Sequence, residues 1–204
     1  TAYAERLLQD LDTLEWSDAL KAMQRNWIGR SEGAQMFFQI DGFHAPLEIF
    51  TTRPDTIFGA TYMVLAPEHD LVASITTEGQ KAAVASYIDY VSSRSDVDRM
   101  AEVKEVTGVF TGAFAIHPFN GSKIPIWLGE YVLKDYGTGA IMAVPSDDER
   151  DQVFAKKFGL DIIDVIDKSD YPGSTLHDKT GKVINSDFLN GLEVKDAIEL
   201  MFNK

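Results

Sequence analysis

Cysteine is absent from the 204 residues. Disulfides, thiolate metal sites and a cysteine nucleophile are therefore excluded, and the composition fits a reducing, cytoplasmic setting. Basic residues are scarce: 19 Lys+Arg stand against 32 Asp+Glu, a formal charge of −13. A surface that wraps nucleic-acid backbone needs clustered Lys and Arg, so any nucleic-acid contact is expected to be local. The histidines (His44, His69, His117 and His177) are scattered without a second ligand at metal-binding spacing, and no metal site is expected. Neither G-x-S-x-G nor the phosphate-cradling G-x-x-x-x-G-K occurs. No apolar run is long enough to span a membrane, and the start at Thr1 has neither a basic nor an apolar leader region. The chain reads as a piece of something longer, without signal peptide or membrane contact. What is present, 45% hydrophobic and 25% charged residues, suits a globular protein of one large domain or one domain with appendages.

Apolar residues from Ala4 to Met23 follow a mostly helical stripe broken near Trp16-Ser17-Asp18, which predicts two short helices with Ser17 capping the second. Two aromatic and β-branched runs between Ala34 and Thr52, separated by Asp41-Gly42, predict a hairpin with a loop longer than two residues. Further strands are expected at 62–66, 106–116, 123–133, 140–144 and 162–165. Helices are expected opening at Pro67-Glu68-His69-Asp70, over 79–92, from Asp147 to Phe158 with Gly159 as its stop, and over 194–202, with a polar loop at 167–182. The mixture lacks regular alternation. The expected class is α+β or irregular α/β, with a curved, partly barrel-like mixed sheet and surrounding helices. Trp27 and Trp127 read as core or as packing against missing domains.

Two segments concentrate polar chemistry. Thr51-Thr52-Arg53-Pro54-Asp55-Thr56 follows directly on a strand, where Pro54 holds Arg53 extended and hydroxyls, a guanidinium and a carboxylate can orient a ligand. The alternative is a threonine-rich strand end followed by an ordinary Pro-Asp turn. The second segment is Tyr136-Gly137-Thr138-Gly139-Ala140-Ile141-Met142-Ala143-Val144-Pro145-Ser146-Asp147-Asp148-Glu149-Arg150-Asp151. Its glycines permit close approach of a backbone or a ligand, and it lacks the third glycine of a dinucleotide fingerprint. Ser146 and Glu149 form a capping-box pattern. Asp151 falls on the same helical stripe as Phe154 and Phe158, so its carboxylate points inward and needs a cation. Arg53 could supply it from within, or an ammonium group on a ligand from outside. Acids that merely complement the helix dipole explain Asp147 and Asp148 better than Asp151.

In these two segments, and in Asn26-Trp27-Ile28-Gly29-Arg30-Ser31-Glu32-Gly33-Ala34, the sequence resembles the editing domain inserted in bacterial-type leucyl-tRNA synthetases. Arg53-Pro54-Asp55-Thr56 with Phe58-Gly59, and Met142-Ala143-Val144-Pro145 with Asp148-x-Arg150-Asp151, favour the leucyl member over its isoleucyl and valyl relatives. One departure is Asp147, where the family often has His. The resemblance implies an editing-domain fold over residues 27–204 with a C-terminal return helix, and a helical flank from the parent synthetase over 1–26. It implies hydrolysis of the aminoacyl ester of tRNA-Leu mischarged with norvaline, isoleucine or similar amino acids.

Carried over by position, Asp151 would hold the α-ammonium group. Thr51, Thr52 and Arg53 would bind the terminal adenosine, the ester region and the attacking water. Thr56 would narrow the pocket against leucine, Met142 would line it, and Tyr136, Gly137, Thr138 and Asp148 would lie near the terminal nucleotide. The implied partners are the aminoacylated 3′-terminal adenosine of tRNA-Leu and the rest of the synthetase, with the protein a monomer. No cofactor is implied here; ATP and Mg serve the parent elsewhere, since the His-x-Gly-His and Lys-Met-Ser-Lys-Ser signatures are missing. An insertion that binds the tRNA end without hydrolysis, and a free-standing deacylase, are the alternatives.

Overall fold

The computed structural model describes residues 3–29, 33–95, 98–99, 106–135, 137–176 and 178–204. His177 and Tyr136 lie outside the described residues, as do Arg30, Ser31 and Glu32. The chain divides into two compact units, Thr1–Glu32 and Gly33–Lys204.

The first unit holds helices α1 (Ala4–Asp10) and α2 (Asp18–Ile28), joined through a 3₁₀ turn at Leu11–Thr13. Ser17 caps α2 as expected, its hydroxyl accepting from the Leu20 amide at 3.4 Å. Asp12 receives the Arg25 guanidinium across the bend. Trp27 is 87% exposed and takes no part in a core.

In the second unit six strands form one mixed sheet: β1 (Ala34–Ile40), β2 (Pro46–Thr51), β3 (Tyr62–Leu65), β4 (Gly108–Ile116), β5 (Lys123–Gly129) and β6 (Ala140–Ala143). The spatial order is β2-β1-β4-β5-β3-β6, and among the described residues only the β3–β5 pair is parallel. Edge strands β2 and β6 curl toward each other, but among the described residues no ladder joins them, so the sheet is barrel-like and open. Helices α3 (Val72–Ile75), α4 (Lys81–Ser92), α5 (Glu149–Phe158) and α6 (Val194–Phe202) surround it, and β7 (Ile166–Asp167) pairs with β8 (Lys182–Val183) in a separate ribbon.

Strand β3 shows why its sequence is apolar without alternation. Met63 and Leu65 point into the main core with Phe38, Ile49 and Ile126, while Tyr62 and Val64 face a second core beneath α5, with Phe154 and Tyr131. Both faces of the strand are dry. Tyr62 stacks on Phe154 at 5.0 Å, and Trp127 completes this layer against Phe158 at 4.7 Å.

Several boundaries differ from the sequence reading. Pro67–Leu71 is a run of turns that delays α3 to Val72. Strand β5 ends at Gly129 rather than Leu133, and the strand expected at 162–165 forms at Ile166–Asp167, where Val183 and Lys182 supply its partner. Helix α5 starts at Glu149, because Asp148 is its cap: the Asp148 carboxylate accepts from the Arg150 and Asp151 amides at 2.9 and 3.0 Å. Ser146 instead donates to Asp147, so the capping box does not form. The stop at Gly159 holds, with φ of 66° in the left-handed region that glycine adopts without a Cβ penalty.

Candidate active site

A cleft of about 300 Å³ opens where the C-terminal ends of β2 and β6 meet the start of α5. Thr51, Thr52, Arg53, Thr56, Met142, Val144, Asp147, Asp148, Asp151 and Lys179 line it. The two motifs picked from the sequence, ninety residues apart in part, thus meet because β2 and β6 are the converging edges of the curled sheet.

One wall is built by the turn after β2. Thr51 Oγ1 accepts from the Arg53 amide at 3.0 Å, and the 3₁₀ helix Pro54–Gly59 begins at once. Pro54 keeps Arg53 out of the helical region, yet its ψ of 61° falls short of extended. The reason is that the Arg53 carbonyl turns inward to accept from both the Thr56 amide (3.3 Å) and the Thr56 hydroxyl (3.0 Å). Thr56 is thereby fixed, buried, at the floor of the cleft. The Arg53 guanidinium is committed to Asp55 through Nε at 3.0 Å and Nη2 at 2.8 Å, and Asp55 is fully buried. Such a fork-to-carboxylate pair locks the side chain in one geometry.

The opposite wall is acidic. Asp151 is 6% exposed, and its Oδ2 accepts from the Val144 amide at 2.8 Å. Tyr62 donates its hydroxyl to the Asp151 backbone carbonyl at 3.0 Å, which ties α5 to β3. Among the described residues no cation stands within ion-pair distance of Asp151, so Arg53, one of the partners the sequence left open, does not serve. Burial, followed by the Asp148 charge, pushes the Asp151 carboxyl up to about 7, against the downward pull of the Val144 amide, the more distant Arg150 charge and the Tyr131 hydroxyl. Asp147 is also raised by burial, despite its hydrogen bond from Ser146 and the nearby cations Arg53 and Lys168. Two carboxyls on one wall are thus held at a cost in solvation.

Placement divides the sequence-derived candidates. Thr51, Thr52, Arg53, Thr56, Met142, Asp148 and Asp151 come together in the cleft. Gly137 and Thr138 do not: they sit at the N-terminal end of β6, where Thr138 donates to the Ala140 carbonyl and Gly137 takes a left-handed φ of 66°. The closest approach there is of protein to protein, since a Cβ on Gly139 would lie 3.2 Å from His69 and from the Lys134 carbonyl. Tyr136 is outside the described residues. The cleft lining also includes Val144 and Lys179, neither of which the two motifs mark as a site residue. Val144 shares a strand face with Met142 at i+2 and was legible by alternation. Lys179 comes from a loop with no motif of its own. Among the described residues no group of three or more His, Asp or Glu side chains is placed to hold a metal ion, and no helix is long and apolar enough to cross a membrane.

A family model described as the leucyl-tRNA synthetase editing domain matches residues 25–204. Among solved structures, the chain is similar to a leucyl-tRNA synthetase, agnB2 LeuRS of Agrobacterium radiobacter K84, crystallised as a ternary complex described as LeuRS-tRNA-LeuAMS. The likeness has 34% identity and a TM-score of 0.75, and covers 99% of this chain. The chain spans 22% of that synthetase's length. With a family model that spans the whole second unit and a solved leucyl-tRNA synthetase that shares its fold, the chain belongs to the leucyl-tRNA synthetase editing-domain family.

Proposed function

We propose that this chain clears mischarged tRNA-Leu by hydrolysing the ester between the terminal adenosine and a noncognate amino acid such as norvaline or isoleucine. The observation that carries the reading is Asp151, a buried carboxylate at the cleft with no cation within ion-pair distance among the described residues. An α-ammonium group on the ligand supplies the missing charge, and no neutral ligand would compensate the desolvation as well. The chemistry needs no nucleophile from the protein. Water attacks an activated ester, while Thr51 and Thr52 position the reacting groups and the Arg53 carbonyl holds Thr56 against the side-chain pocket. The free ribose hydroxyl of the substrate assists that water. No cofactor enters this scheme; ATP and Mg belong to the synthetic reaction of the parent enzyme, whose remaining domains and tRNA are the partners of this one. A second sieve is physically required, because a hydrophobic pocket separates side chains differing by a methylene only about 10- to 200-fold.

The test compares deacylation of norvalyl- and leucyl-tRNA-Leu by the chain and by its full-length synthetase. Norvalyl ester is expected to be cleaved and leucyl ester spared. Asp151→Ala abolishes cleavage, and Thr56→Ala opens the pocket so that leucyl ester is cleaved too. An unchanged rate in Asp151→Ala refutes the ammonium site, and cleavage of neither ester by the full-length enzyme supports a tRNA-end-binding role without hydrolysis.

A further inference from the structure

The cleft is bipolar. Its α5 wall carries Asp147, Asp148 and Asp151, and the other side carries two cations, Arg53 and Lys179. Arg53 is spent on buried Asp55. Lys179 is not comparably engaged: among the described residues its Nζ makes one long contact, 3.5 Å, to the Thr52 carbonyl, and the residue is exposed at the rim. This lysine does not reach the cleft on a free-swinging loop. Lys168, at the start of the same loop, turns its half-buried ammonium back to donate to the Thr175 and Leu176 carbonyls at 2.7 and 3.0 Å. Asp178 accepts from the Thr175 amide at 2.5 Å, which closes the turn before Lys179. Lys168 also faces Asp147 across 3.9 Å, so a carboxylate on the α5 wall leans on the hub that shapes the loop.

We infer that Lys179 is a phosphate-binding residue of the cleft, set in place by a loop that Lys168 organises and Asp147 steadies. The ligand class is an adenine nucleotide entering with its phosphate toward Lys179 and its positively charged acyl end toward Asp151. A chain of net charge −13 repels polyanions in general, so a single cation held at the rim of an acidic cleft contributes to which end of a nucleic acid enters, and in which direction. The inference rests on reading the cleft as the seat of an aminoacylated terminal nucleotide, and it assigns to Asp147 a loop-steadying role rather than a substrate contact.

Adenosine and adenosine 5′-monophosphate, titrated into the 204-residue chain at low salt and followed by amide NMR shifts or calorimetry, test it without any deacylation assay. The wild type is expected to bind the monophosphate about five-fold more tightly than adenosine, near the upper end for an exposed ion pair. Lys179→Met brings the ratio of monophosphate to adenosine affinity near one, its amide spectrum showing the variant to be folded; Lys179→Arg restores the preference. Raising salt to about 0.5 M should erase it in the wild type. A preference that survives in Lys179→Met, or a wild type that does not prefer the monophosphate, overturns the assignment. A Lys179-dependent preference in a protein whose full-length synthetase cleaves no ester upholds this inference and refutes the hydrolytic function separately.

Discussion

Asp151 is kept in the fold at the expense of stability. Its carboxyl titrates near 7 when folded, against an ordinary value near 3.8. Between those values the folded chain holds a proton that the unfolded chain has released, so stability falls as pH rises from about 4 to 7. Asparagine at 151 cannot titrate, yet its side-chain oxygen can still accept from the Val144 amide. Asp151→Asn is therefore expected to unfold at higher urea concentration than wild type at pH 8, with a gain of up to about 4 kcal/mol that falls below about 1 kcal/mol at pH 4 and vanishes below the unfolded-state value. Equal stabilities at pH 8 would show that the carboxylate is already compensated inside the protein. A residue that costs the fold and is retained at a cleft wall is better explained by what binds there than by packing. The inward direction of Asp151 was legible from its place on the Phe154–Phe158 stripe. Which cation answers it was not, because the competition between Asp55 and Asp151 for Arg53 is decided by a two-residue turn geometry that spacing does not encode.

At the scale of elements, periodicity placed most helices and strands of both units, and the errors cluster where a hydrogen bond rather than a hydrophobic pattern sets the boundary. The start of α5 is the clearest instance. Both Ser146 and Asp148 are good capping residues by type, and the choice between them depends on the Asp147 and Asp148 amides turning back to the Val144 carbonyl at 3.0 and 3.1 Å, which brings Asp148 to the cap position. Asp148→Ala should then cost about 0.5–2 kcal/mol and Ser146→Ala markedly less. Urea unfolding at pH 5 checks this, because Asp151 is protonated there and losing its repulsion from Asp148 brings no offsetting gain. A larger loss in Ser146→Ala would reinstate the capping box. The polar loop expected at 167–182 is legible as a loop, but the shape of its described part is not, for a related reason: Lys168 binds backbone carbonyls there, and any lysine in a polar stretch looks alike in sequence.

For the whole molecule, the proposed function reconciles the acidic balance with the family the chain belongs to, because that function asks the chain to touch very little of a nucleic acid. The cleft of about 300 Å³ has room for a terminal nucleotide with its acyl group and not for a duplex, and of its two cations Arg53 is neutralised internally. Counterion release makes the salt dependence of binding a direct count of phosphates engaged, with a slope of about −0.7 per phosphate for single strands. The isolated chain binding an acceptor-stem oligonucleotide that ends in single-stranded nucleotides is thus expected to show a slope of log affinity against log salt of about −0.7, one phosphate's worth, and Lys179→Met a slope nearer zero. A basic tRNA-wrapping surface would give values several times steeper, and a wild-type slope of that size would mean that phosphates are gripped outside the cleft. Under the proposed function, a shallow slope assigns the grip on the tRNA body to the remainder of the synthetase and inspection of the charged end to this chain, where a carboxylate is the more useful charge.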